Sequence, residues 1–168
     1  MSDALEYPES SIDADVLDAA ASILERRGRA RGQLVDENGC VCAVGAIGLA
    51  VADQWHSIPE DDVDPLSLRY PDNYAFDDAV LDALKEEAAE YPLPADCYFI
   101  TWRDKPEFDA AEYLAWCSDK RYSRDAGRVP RFLRRIARTA RGWQPGQAAD
   151  RFEPDSTPTR NTTATKKD

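Results

Sequence analysis

One histidine, His56, and one methionine occur in the 168 residues. The scarcity of histidine withholds the base that thiol hydrolases usually need. No apolar run approaches the ~20 residues that span a bilayer, so no membrane helix is expected. The first residues carry Asp3, Glu6 and Glu9 in place of the basic and apolar segments of a signal peptide. A cytoplasmic protein without a membrane partner is the expectation. No P-loop, dinucleotide fingerprint, H-E-x-x-H or G-x-S-x-G is present. The four cysteines stand at 40, 42, 97 and 117, a C-x-C and two lone positions, unlike the paired C-x₂-C knuckles of structural zinc. Reduced thiols, no metal and no cofactor are expected.

What is present is acid, unevenly placed. Residues 1–100 hold 6 Lys and Arg against 22 Asp and Glu, a net −16, while residues 101–168 hold 15 against 10, a net +5. Net charge governs steering and association, not fold, so the asymmetry points to interaction surfaces. The acidic half suits a basic protein surface. With 43% apolar and 32% charged residues the chain has the composition of a folded domain. Arginine outnumbers lysine and alanine is abundant, as in proteins of GC-rich genomes such as actinobacteria or their phages.

Apolar periodicity predicts a first helix through Ile12, Val16, Ala20, Ile23 and Leu24, capped by Ser10 or Ser11 and stopped by Gly28. Gln33-Leu34-Val35 and Cys40-Val41-Cys42 flank Asp36-Glu37-Asn38-Gly39 and read as a hairpin. A second helix is predicted over 43–55, with Val44, Ile47, Val51 and Trp55 on one face. Its stripe of Gly45, Gly48 and Ala52 costs helix propensity and implies a close backbone neighbour. Residues 57–74 read as a proline-containing loop. Further helices are predicted over 76–90, through 108–115 with Asp104 and Glu107 as a capping box, and over 129–140. Tyr98 to Trp102 reads as the best strand. The expected fold is therefore α+β, four or five helices on a two- to three-stranded sheet, with Trp55, Phe76, Trp102 and Phe132 in the core. Residues 1–10 are expected to be a flexible lead-in, 11–143 one globular domain and 144–168 a disordered tail.

Three features could carry chemistry. Cys42 sits where a helix N-terminus lowers thiol pKa and offers backbone N–H groups to an oxyanion. Its only histidine partner lies fourteen residues on, ~21 Å along a continuous helix at 1.5 Å per residue, which breaks the dyad. The alternative is a small buried packing residue. Eight arginines fall within residues 121–141, including Arg128, Arg131, Arg135 and Arg138, with Asp125 the one acid among them. This basic amphipathic helix suits phosphate, an acidic partner, or the chain's own acidic half. Glu60, Asp61, Asp62 and Asp64 form an acidic run without the calcium-loop pattern and read as a solvated or partner-facing loop.

Val16 to Gly28, Cys42-Ala43-Val44-Gly45-Ala46, Trp102-Arg103-Asp104 and Val129 to Ala137 together resemble an uncharacterised domain family of actinobacteria and their phages. Its members carry an amphipathic helix, a C-x-x-G-A motif entering a second helix, a strand ending in W-N-D, and a last helix. Arg103 replaces the Asn, and residues 105–127 are longer than the family's link. The resemblance implies a phage or actinobacterial setting and a cluster of Cys42, Gly45, Ala46, Trp102 and Asp104; it implies no activity. The leading expectation is a non-catalytic accessory protein, phage-encoded, that binds a host protein through a charged surface, one version being an acidic face that mimics nucleic acid. The alternatives are a thiol enzyme centred on Cys42 and nucleic-acid binding through the arginine helix.

Overall fold

The computed structural model describes residues 5–94 and 108–143. Within them the chain forms five α-helices: α1 (Ala14–Arg27), α2 (Ala43–His56), α3 (Asp78–Glu90), α4 (Ala110–Trp116) and α5 (Arg128–Ala140). A π-helical turn, Cys117–Arg121, extends α4, and three short 3₁₀ turns punctuate the α2–α3 connection.

The helix pattern follows from burial. Every residue of α2 from Ala43 to Ala52 is buried, as expected of a helix apolar all round. α1 packs on both α2 and α5, α3 packs on α5 and α4, and α2 also meets α4. α5 buries Val129, Phe132, Leu133, Ile136 and Ala137, and its five arginines are half-buried along the rest of its surface. The small residues of α2 do allow a close neighbour. A Cβ on Gly45 would stand 2.0 Å from the Leu34 carbonyl oxygen, and one on Gly48 2.8 Å from Leu68 Cδ2.

The α+β expectation is corrected: no strand or sheet occurs among the described residues, only the isolated bridges Ile12–Phe76, Arg29–Val41 and Val35–Val41. The predicted turn does form. Gly39 takes φ +85°, its N–H donates to the Asp36 carbonyl at 3.0 Å, and the Asp36 carboxylate accepts from the Asn38 and Cys40 amides. Its arms cannot extend into a ladder. Val41 is claimed from the other side by the 28–30 segment (Ala30 N to Val41 O 2.9 Å, Val41 N to Gly28 O 3.0 Å), and Cys42 must already serve as the cap of α2. The expected 98–102 strand lies outside the described residues.

Two smaller expectations shift. α1 is capped by Asp13, which accepts from Val16 N at 3.0 Å, not by Ser10 or Ser11. α4 is capped by Asp109, which accepts from Glu112 N at 3.0 Å, while the expected cap Asp104 lies outside the described residues. Phe76 and Phe132 are core residues as expected, at 1% and 0% exposure, but Trp55 is 49% exposed. It shares the apolar face of α2, yet burial on that helix ends at Ala52, and Asp53, Gln54 and Trp55 are all exposed. Trp102 lies outside the described residues.

Candidate functional site

The first candidate, Cys42, is the N-cap of α2. Its Sγ accepts from the Gly45 amide at 3.4 Å, and the residue is 3% exposed. The helix amide lowers the thiol pKa, but burial outweighs it and pushes the thiol up to about 11. At neutral pH the sulfur is a thiol, not a nucleophilic thiolate. His56 closes the opposite end of α2, where its Nε2 lies 2.6 Å from the Glu6 carbonyl oxygen. Cys42, Gly45 and Ala46 occupy one buried helix start, whereas Trp102 and Asp104 lie outside the described residues, as does Cys97.

The surroundings of Cys42 explain the π turn. Ser118 Oγ accepts from Ala43 N at 3.2 Å, and Asp119 accepts from Gly32 N at 3.2 Å. Arg29 donates to the carbonyls of Ser118, Tyr122 and Ser123, and Arg31 also donates to that of Ser123. The wide turn leaves carbonyls that a helix would have satisfied internally, and Arg29 supplies the donors. This is a structural joint between the 28–42 segment and α4.

The arginine helix is largely engaged by the acidic half of the chain. Arg134 meets Glu25 of α1 at 2.6 Å and donates to Ser22 Oγ. Arg135 meets Glu87 of α3 at 2.7 Å, and the same carboxylate holds Arg121 at 2.8 Å. Arg141 binds Asp15 and Asp18 at 2.6 and 2.8 Å. Arg128 pairs locally with Asp125 at 3.2 Å, and Arg138 lies over the Trp143 ring at 5.2 Å. Arg131 is half-buried on the same helix and makes no ion pair with the described residues. Arg121 is the most enclosed of these: its side chain is 4% exposed, between the Tyr91 and Tyr122 rings at 4.1 and 4.8 Å.

The acidic run divides. Glu60 binds Arg26 at 2.8 Å and Arg27 at 2.7 Å, and the hydrogen bond from Arg26 above all holds its pKa below the ordinary value. Asp61 reaches Arg27 at 3.3 Å while staying 92% exposed. Asp64 caps the turn at Leu66 N, and Asp62 is exposed. No group of three or more His, Cys, Asp or Glu among the described residues is placed to hold a metal ion. No helix among them is long and apolar enough to cross a membrane.

Sequence reasoning missed the exposed surface of residues 55–74, the segment that contains this run. The large apolar side chains that are exposed among the described residues are Trp55, Leu66, Tyr70 and Tyr74, at 49%, 89%, 48% and 76%. All four fall within one stretch of twenty residues, interleaved with Asp61, Asp62, Asp64 and Asp72. The signal was in the sequence: aromatic and leucine residues in a proline-containing loop, where no period assigns them to a core.

Next to Tyr74 a cleft of about 550 Å³ opens between this loop, the segment before α1 and the start of α4. Its frame is stitched together. Ser10 N donates to Tyr74 O at 2.9 Å, Ile12 N to Ala75 O at 2.8 Å, and Asp77 N to Ile12 O at 2.9 Å. The Asn73 amide donates to Phe108 O at 2.7 Å and accepts from Ala110 N at 3.0 Å. Phe76 and Phe108 give the cleft apolar wall, and Glu9, Asp72 and Asp78 give it acid.

No curated protein and no solved structure matches the chain. A family model, described as a family of unknown function (DUF6197), matches residues 9–139 and so takes in all five helices and the whole of the 55–74 face. The chain therefore belongs to the DUF6197 family.

Proposed function

We propose that the protein is a non-catalytic binding protein whose 55–74 face docks on a basic surface of another protein. The observation that carries this reading is the concentration of exposed Trp55, Leu66, Tyr70 and Tyr74 among carboxylates. Exposed apolar side chains grouped together mark interaction sites, and Trp and Tyr are the usual anchors of protein interfaces. Acid around them selects a basic partner and speeds encounter. In this reading the chain is a phage-encoded accessory factor and the partner a host protein of the cytoplasm.

The other two readings have less support. A thiol enzyme needs a thiolate within reach of a base, and Cys42 is buried, raised in pKa and separated from His56 by the length of α2. Nucleic-acid binding needs free arginines, and Arg134, Arg135 and Arg141 hold carboxylates of α1 and α3.

The test is capture from host lysate at rising salt, with wild type and an Asp61→Lys, Asp62→Lys, Leu66→Ser triple variant. The expected result is a partner released as salt rises and not retained by the variant. A wild-type protein that retains nothing salt-sensitive, or a variant that retains the same partner equally, refutes the reading. Displacement of the partner by duplex DNA would identify its basic surface as a nucleic-acid site, as the mimicry version requires.

A further inference from the structure

We propose that the cleft between Tyr74, Phe108 and Asp78 receives an arginine side chain presented by the partner protein. The inference deepens the docking reading and rests on it, because Asp72 and Tyr74 belong both to the 55–74 face and to the cleft wall. The cavity, about 550 Å³, falls within the ~300–1,000 Å³ range of ligand pockets.

Its wall chemistry selects the occupant. Phe76, at 1% exposure, lines the cleft without offering its face; Tyr74 offers a ring that is 76% exposed and Phe108 a half-buried one. Such rings attract a cation over their faces, and a planar guanidinium stacks on them better than an ammonium does. Glu9 and Asp78 line the same space and make no hydrogen bond or ion pair in the described structure, so both carboxylates are open to an incoming donor. Asp72 and Asp109 are occupied as caps of Tyr74 N and Glu112 N and contribute negative charge only. Lys85 is the one basic side chain in the lining. An apolar occupant would leave Glu9 and Asp78 without a partner, and an anion would meet four carboxylates.

The frame is preorganised. Backbone hydrogen bonds fix the 10–12 and 74–77 segments to each other, and Asn73 clamps both to the 108–110 segment. Binding therefore requires little ordering of the protein, which favours affinity. The partner's arginine would enter past Tyr74, with its guanidinium directed at Asp78 and Glu9.

The test is a chemical-shift titration of the full chain with acetyl-Gly-Arg-Gly-amide, against the same peptide carrying citrulline, which keeps the shape and removes the charge. Saturable shifts at Asn73, Tyr74 and Leu81 are expected. Affinity should fall at least fivefold for citrulline, for Tyr74→Ala and for Asp78→Asn, and stay within twofold for the control Asp62→Asn. Shifts that never saturate, or an equal loss in Asp62→Asn, would show counter-ion attraction to an acidic surface and overturn the proposal. Because Tyr74 and Asp78 are exposed, both variants should keep the wild-type melting temperature; a drop in either transfers the decision to the citrulline peptide. Partner capture separates the two readings. Salt-sensitive capture without peptide saturation rejects the arginine cleft alone, and peptide saturation without capture rejects the docking face alone.

Discussion

The α1–α5–α3 seam and the 55–74 face are both rich in charge, and the structure uses that charge in opposite ways. Along the seam, arginines and carboxylates from distant parts of the chain meet one another: Glu87 alone holds Arg121 and Arg135, and its side chain is 11% exposed. On the 55–74 face, exposed Asp62 and Asp72 alternate in sequence with exposed Leu66 and Tyr74, and no arginine of α5 is paired there. A surface of charge pairs is complete within the chain. Around residues 55–74 the pairing is partial: Glu60 and Asp61 meet Arg26 and Arg27, and Arg69 is exposed, while Asp62 makes no ion pair with the described residues. The net −16 of residues 1–100 is thus partly an internal counter-charge for α5 and partly an outward one.

If the seam is internally complete, breaking it should cost stability. Glu87→Ala leaves two arginines, one of them 4% exposed, without their shared carboxylate. Removing one partner of a buried pair costs about 3–5 kcal/mol, because the remaining charge stays desolvated. Urea unfolding of this variant should show the largest loss of any single charge removal, and a loss below ~1 kcal/mol would mean that the seam behaves as a wet surface. Gly45→Ala should follow. Alanine normally improves a helix by ~1 kcal/mol over glycine. Here the Cβ would lie 2.0 Å from a backbone oxygen that itself accepts from Cys42 N at 3.2 Å, so the neighbour cannot yield cheaply. Overpacking of this kind costs about 1–3 kcal/mol, and we expect a net destabilisation. A neutral or stabilising Gly45→Ala would show that the 34–42 segment moves freely.

All five helices were legible from apolar period, to within about two residues at most ends, because each buries an apolar stripe that repeats at helical spacing, although the caps of α1 and α4 were misread. The sheet was not. Leu34-Val35 and Val41 have strand chemistry, but Val41 divides its hydrogen-bonding sides between two segments and Cys42 is taken up as a cap, which no local pattern reveals. Trp55 was misplaced because periodicity gives a face and not how far along the helix that face stays buried, which here is to Ala52. The cleft was illegible for a related reason. Glu9, Asp78 and Phe108 are brought together by Asn73 and by the Ile12–Phe76 bridge, contacts that join positions far apart in sequence. The exposed Leu66, Tyr70 and Tyr74, by contrast, were readable as apolar residues in a loop with nothing periodic to bury them.

Acid reaches both regions in the same way. Glu25 and Glu60 both have folded pKa values below their ordinary 4.5, held there chiefly by hydrogen bonds from Arg134 and Arg26. A depressed carboxylate stabilises the fold fully above its unfolded pKa and loses that contribution as pH falls through the folded value. Stability should therefore decline from about pH 4.5 downward, where these two begin to take up protons in the unfolded chain. Both pairs are partly solvated, so each contributes about 0–1 kcal/mol. Glu25→Gln with Glu60→Gln should flatten the acid limb of a stability–pH curve; an unchanged slope would assign acid unfolding to other carboxylates.

The smallest effect on stability should come from the 55–74 face. Leu66 is 89% and Tyr74 76% exposed, so Leu66→Ser and Tyr74→Ala remove little buried area. Exposed substitutions away from structural features usually stay within about 0.5 kcal/mol. Asp62→Asn should be equally silent, since Asp62 is exposed and makes no ion pair. Thermal unfolding of the three variants would check this, and a loss above ~1 kcal/mol in any of them would place these side chains in the fold after all. The contrast with Glu87→Ala is what gives the comparison its content. Residues that the fold does not need, yet that expose apolar surface to water, are the ones at which the proposed docking can be tested apart from folding.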